Sequence, residues 1–270
     1  STGTLSTINR GSNGDLLVLR LLNITDNIKI STSGNIVLNN SAPFSLIYNN
    51  SIFLMYQINN KWNEISRSII QPIQLDSNEV TIKYTLSSIS TVPKFIYADP
   101  RGTGSEWFAV VDDSSKSEIT SYALTNGTTS VYFTPSGQSN PVSFNNIVTT
   151  LMTDMFDMFI DATQFNQAIG SWDTSNVTNM SDMFYVASEF NQDIGLWNTT
   201  NVTNMSFMFR GANQFNNGGN SSINTWNTSS VTNMQVIFSR CVNFNQSINS
   251  WDTSNVTDMS FMFRSSVFNQ

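Results

Sequence analysis

The 270-residue sequence has no histidine, a single cysteine, Cys241, and only 11% charged residues. Without histidine the commonest general base, the commonest metal ligand and every Ser-His or Cys-His nucleophile pair are missing, so most enzyme chemistry is excluded. One cysteine leaves no intrachain disulfide and no thiolate zinc site. No run approaches the ~20 apolar residues that a membrane helix needs, so membrane insertion is not expected. Residues 1–14 are polar, with no basic segment, no apolar segment and no initiator Met, which reads as a processed chain or a fragment. Positive charge is also scarce: 12 Lys and Arg against 19 Asp and Glu give a net charge of -7. That charge repels phosphate backbones, so nucleic acid is not an expected partner.

What the chain does have is 39% hydrophobic and 12% aromatic residues, enough to bury a core, and Asn, Ser and Thr to solvate its surface. The second half repeats itself. Trp172, Trp197, Trp226 and Trp251 are separated by 25, 29 and 25 residues, the 29 arising from four extra residues within Asn216–Ser222. Phe165, Phe190, Phe215 and Phe244 precede them in register. Val177, Val202, Val231 and Val256 follow, then Met180, Met205, Met234 and Met259, then Phe184, Phe209, Phe238 and Phe263. The consensus is FNQ-x-I-x-x-W-[DN]-T-[ST]-x-V-T-x-M-x-x-[MI]-F. A degraded copy lies upstream, with Met155, Met158 and Phe159 in register and Ile147 in the Trp slot.

A unit this short cannot bury its own apolar stripe, so units must stack and share one core as a solenoid. The residues named above are its structural core. Alternation around Ile169–Trp172 predicts a short strand, and the spacing of Val177, Met180, Met183 and Phe184 predicts a helical or 3₁₀ turn. Asn176, Asn201 and Asn255 are placed to cap that turn. Asp173, Asn198, Asn227 and Asp252 would form a polar ladder between coils. With only two carboxylates, Asp173 and Asp252, it is a weak calcium candidate beside the reading of a hydrogen-bonded ladder.

On these motifs the repeat resembles the BspA-like leucine-rich repeats of microbial and viral surface proteins, over roughly residues 141–270. Ala162, Ala187, Ala212 and Cys241 occupy the small-residue slot of that pattern, which implies a structural role for the cysteine. The resemblance implies an extracellular location and recognition of a host glycan or surface protein.

Composition changes near residue 150: ten of eleven Met lie after it, and all five Lys and six of seven Tyr lie before it. The first half is β-rich with no helical period, with short apolar runs at Leu16–Leu22, Phe44–Tyr48, Ile52–Ile58, Val80–Leu86, Phe95–Tyr97 and Phe108–Val111. Asn59-Asn60 reads as a hairpin turn. The expected organisation is therefore a β-rich module at 1–71, a second at 72–140 and the solenoid at 141–270, with further coils or a covering partner beyond Gln270. Thr7–Ser12, Gly34–Leu38 and Trp62–Ser68 resemble the opening, middle and closing motifs of a β module of phage and large-virus fibres. That resemblance implies an oligomer, with a trimer favoured.

Candidates for chemistry are few. Asp154, Asp157 and Asp161 could share a helical face but read better as a solvated surface. Asp112-Asp113 reads as a turn, and Arg101–Trp107 lacks the glycine spacing and the Lys of a phosphate loop. N-x-[ST] triplets at Asn23, Asn126, Asn176, Asn179, Asn198, Asn201, Asn204 and Asn255 arise largely from the repeat. No catalytic residue, cofactor or metal is assigned. The expectation is a non-enzymatic structural or adhesion protein: a virion fibre or capsid-associated surface protein, with a secreted bacterial adhesin or an architectural filament subunit as alternatives. Its partners would be copies of itself, other virion or surface subunits, or a host ligand.

Overall fold

The computed structural model describes residues 72–89 and 91–270 in full and, before them, the backbone of seven strands. The chain divides into two units, Ser1–Pro72 and Ile73–Gln270.

In the first unit the strands are β1 (Thr2–Leu5), β2 (Leu16–Arg20), β3 (Asn27–Ile30), β4 (Ile36–Val37), β5 (Phe44–Leu46), β6 (Ser51–Ile58) and β7 (Lys61–Ile69). They form one sheet in the order β1-β3-β5 and another in the order β2-β6-β7-β4. β6 and β7 are antiparallel, with Ile58 opposite Lys61. The Asn59-Asn60 turn expected between them lies outside the described residues, as do Thr7–Ser12 and Gly34-Asn35. β4 pairs in parallel with β7, placing Ile36 beside Trp62 and Val37 beside Asn63.

The second unit opens with a hairpin of β8 (Ile73–Leu75) and β9 (Ile82–Tyr84), followed by β10 (Lys94–Ala98), β11 (Glu106–Asp112), helix α1 (Lys116–Leu124) and β12 (Ile147–Leu151). β11 is antiparallel to β10 and parallel to β12, so a single sheet spans residues 94–151. Its central strand is the most apolar, with Phe108, Ala109, Val110 and Val111 all fully buried, as a strand flanked on both edges requires. Helix α1 was not legible as a helix: its Ser/Thr-rich sequence buries only Ile119, Tyr122 and Ala123, a narrow i, i+3, i+4 stripe. The described residues therefore form small separate sheets with few helices.

From Met152 onward the repeats lie one against the next. Neither the strand expected at Ile169–Trp172 nor the helical turn expected at Val177–Phe184 is present. In their place is a ribbon of overlapping tight turns, and the hydrogen-bond inventory explains it. In the coil containing Met180, the N–H groups of Met180, Asp182, Phe184 and Val186 donate to the next coil, at Asn204, Ser206, Met208 and Arg210. The intervening N–H groups of Met183, Tyr185 and Ala187 donate three residues back within the same coil. The same alternation holds from Met155, Met205 and Met234. Backbone alternation of this kind needs residues at positive φ, found at Asp157, Asp161, Asp182, Val186, Phe207, Gly211, Val236, Arg240, Phe261 and Ser265. Single-residue parallel bridges link Asp154, Asn179, Asn204, Asn233 and Asp258.

Inside, the aromatic residues form columns. Phe159, Phe184, Phe209, Phe238 and Phe263 stack at 5.1, 5.4, 5.5 and 5.7 Å. Phe165, Phe190, Phe215, Phe244 and Phe268 stack beside them at 5.8 to 5.9 Å. Each Trp indole donates its Nε1–H to the preceding coil: Trp172 to Phe144, Trp197 to Ile169, Trp226 to Ile194 and Trp251 to Ile223. A buried indole N–H thus finds its partner. The bond from Trp172 aligns Phe144 with Ile169, which leaves Ile147 at the Trp position of the degraded copy.

The four-residue insertion folds into two 3₁₀ turns, Asn217–Gly219 and Ser221–Thr225. Asn220 and Ser222 bond to the Asp193 carboxylate at 2.7 and 3.0 Å. Gly195 is required there, because a Cβ would lie 2.7 Å from the Ser222 carbonyl carbon.

Candidate functional site

Polar side chains recur in four columns, three of which join the coils, and their directions differ from those expected. Asp173, Asn198, Asn227 and Asp252 do not bond to one another. Each accepts the N–H two residues ahead, at Ser175, Thr200, Ser229 and Ser254, and so closes a local Asx turn. Asp252 is exposed, whereas Asp173 is 2% exposed and its Oδ2 finds no protein donor. Burial of Asp173 comes with the β8–β9 hairpin, where the Ile82 N–H donates to the Ser171 carbonyl at 2.8 Å. Among the described residues no three His, Cys, Asp or Glu side chains converge as a metal site.

Asn176, Asn201 and Asn255 do not cap a turn in their own coil. Their amides donate backward at 2.7 Å to the carbonyls of Thr150, Ser175 and Ser229. The following column runs in the opposite direction: Thr174, Thr199 and Thr228 donate forward to Asn198, Asn227 and Asp252. The asparagine ladder itself lies in the FNQ motif, where sequence reasoning did not place it. Asn166, Asn191, Asn216 and Asn245 accept the N–H groups of Asn191, Asn216, Asn245 and Asn269 at 2.8 to 3.0 Å. Its signal was the recurrence of Asn directly after each of these phenylalanines.

The core positions read from the repeat are buried in all but the last coil, where Val256 and Phe263 are half-buried and Met259 is 45% exposed. Cys241 is buried in the small slot, with its Sγ 3.1 Å from the Ala212 carbonyl, and burial pushes its thiol pKa well up. A buried thiol of this kind is a packing group, not a nucleophile.

The Asp154, Asp157 and Asp161 set is not helical. Asp157 and Asp161 stand at φ 60° and 55°, a conformation Asp tolerates better than most residues. Burial pushes Asp154 up but is outweighed by its bonds to Lys116 Nζ, at 2.8 Å, and the Phe156 N–H, leaving its pKa lowered. Burial raises that of Asp157, partly opposed by Lys116. Asp112 caps the turn before α1, accepting from the Ser114 N–H, and Asp113 accepts from the N–H groups of Thr153 and Asp154. Arg101 ties its loop to the start of the repeats, reaching Glu106, Asn146 Oδ1 and the Asn145 carbonyl. These charged groups thus hold the cap onto the first coil.

A concavity of about 690 Å³ opens beside α1 and is lined mainly by Ser, Thr and Tyr. No described helix is long and apolar enough to cross a membrane.

Comparison with known proteins found no match among curated proteins and none among solved structures. A family described as "Mycoplasma protein of unknown function, DUF285" matches residues 129–222 and 219–270. These segments coincide with the BspA-like repeats, and a surface-exposed repeat protein is compatible with them. Together they run from residue 129 to residue 270, more than half of the chain, which therefore belongs to the DUF285 family.

Proposed function

We propose that this chain is a non-enzymatic surface protein that displays a leucine-rich-repeat-like solenoid for recognition or attachment outside the cell. One observation carries the reading. In all but the last coil the apolar motif residues are consumed by packing, and the FNQ asparagines by coil-to-coil hydrogen bonds, so the motif is architecture and the outward, varying side chains are free to meet a ligand. The family description names Mycoplasma, which favours a microbial cell over a virion as the setting. A host glycan or surface protein is the ligand class that suits an Asn-, Ser- and Thr-rich face with little charge.

A virion fibre is the second reading. It is favoured by the parallel pairing of Ile36 and Val37 with Trp62 and Asn63, which brings two of the fibre-like motifs side by side. Titration of the labelled full chain onto host cells tests the common element, with saturable binding expected. Loss of all saturable binding would count against recognition. Light scattering on the same material separates the two settings: a dilution-resistant trimer favours the fibre, and a monomer favours the cell-surface protein.

A further inference from the structure

From residue 117 onward the chain has only three basic residues, Arg210, Arg240 and Arg264, on three different coils. All three line one surface cavity of about 160 Å³. We propose that this cavity is a binding site for an acidic sugar, in which the guanidinium groups take a sulfate or carboxylate and the neighbouring phenylalanines take the ring. The inference rests on the recognition role proposed above and names its ligand class.

Three like charges in one cavity repel each other, and although Arg210 feels the charge of Asp182, no carboxylate of the described residues pairs with any of the three at ion-pair distance. The ion pairs of the described residues are Lys83–Asp76, Arg101–Glu106 and Lys116–Asp154, none of them here. Arg210 lies over the Tyr185 ring at 5.0 Å and donates to its hydroxyl, and Arg264 lies over the Phe261 ring at 5.5 Å. Rings of this kind hold a guanidinium plane in place while its N–H fork remains available for a planar oxyanion.

The backbone register adds a second, independent argument. The column that carries Asp157 and Asp182 in the earlier coils carries Phe207, Val236 and Phe261 in the later ones. All of these stand at positive φ, which Asp accepts and Phe and Val adopt only at a cost in backbone energy. The late coils thus exchange an acid for an apolar residue beside the arginines, which removes negative charge from the cavity and adds ring faces to it. Phe207 is half-buried and Phe261 is 61% exposed, so ring faces remain available for stacking. The cavity is smaller than the few hundred Å3 of a drug-sized pocket, which suits one sugar residue of a longer chain.

Isothermal titration of the full chain at low and moderate salt tests the site. The probes are a sulfated heparin-type hexasaccharide, its desulfated form, a sialylated trisaccharide, sodium sulfate and a polyglutamate peptide. At least one acidic sugar is expected to bind about tenfold or more tighter than sodium sulfate, weakening with salt, and the desulfated form, which keeps its uronate carboxylates, is expected to fail only if sulfate is the group read. The sulfated probe binding alone identifies sulfate as the group read, and the sialylated probe binding alone identifies carboxylate. Arg240→Gln and Arg264→Gln should each cost about tenfold, with Arg240→Lys and Arg264→Lys losing less, at unchanged thermal unfolding. The proposal is overturned if neither acidic sugar binds, if the arginine variants bind undiminished, if sodium sulfate binds as tightly, or if polyglutamate binds tighter than both sugars. Cell binding that persists in the arginine variants would overturn this site alone and leave the surface role standing.

Discussion

The cap at residues 73–151 and the coils after it share one hydrophobic core but obey different rules. In the cap each element has its own partner: β11 lies between β10 and β12, and α1 reaches Met158 through Thr120. In the coils one pattern is written once and reused, and each position is stabilised by its own copy a coil away. Stability in such an array is a sum of neighbour terms, whereas the cap should behave as one cooperative block.

The sharpest test of that contrast is a pair of truncations. Phe209→Ala in the coils and Phe133→Ala in the cap each empty a fully buried site and should each cost ~3–5 kcal/mol in denaturant unfolding. Only the coil variant should separate the far-UV and Trp-fluorescence transitions; coincident transitions in both would erase the distinction. Next in size is the ladder. Asn191→Ala removes the acceptor of the Asn216 and Gly218 N–H groups and should cost ~1–2 kcal/mol, whereas Asn198→Ala, an exposed local turn, should stay within ~0.5 kcal/mol. Equal losses would mean that coil-to-coil bonds carry no special weight.

Val186→Asn should stabilise by ~0.5–1 kcal/mol, because Val186 stands at φ 58° and Asn accepts that conformation more readily. A destabilised variant would show that the valine methyl groups outweigh the backbone cost. The smallest effect is electrostatic. Burial raises the Asp182 pKa, helped by Asp157 and opposed by Arg210. The folded state therefore binds a proton more tightly than the unfolded state, and stability falls as pH rises from the unfolded pKa, ~4, through the folded one. Asp182→Asn should gain a few tenths of a kcal/mol at pH 7, roughly, and nothing below pH ~4. A gain that persists in acid would assign the effect to packing.

The period, the buried positions and the insertion were legible because residues such as Trp197 and Phe209 recur at fixed spacing. The local backbone was not. Met180, Met183, Phe184 and Ala187 face inward at a spacing shared by helices and by overlapping three-residue turns, and only the N–H partners in the next coil separate the two. Nor could the sequence tell which Asn column links coils, since Asn166 and Asn198 differ in the direction of their bonds and not in chemistry. The arginine cavity was hidden for a further reason: Arg210, Arg240 and Arg264 meet only when varying positions are aligned across coils.

The turn ribbon also has a consequence for symmetry. Along the run from Met180 to Val186 and its copies the bonds between coils go from the N–H groups of an earlier coil to the carbonyls of a later one, while the flanking N–H groups of Thr178, Thr203, Thr232 and Thr257 donate the opposite way, so the edge has a fixed polarity along that run. A two-fold axis between two such edges would set donor against donor or acceptor against acceptor. Any extension of this ribbon by another chain must therefore be heterologous, with the added edge facing the same way as the one it joins.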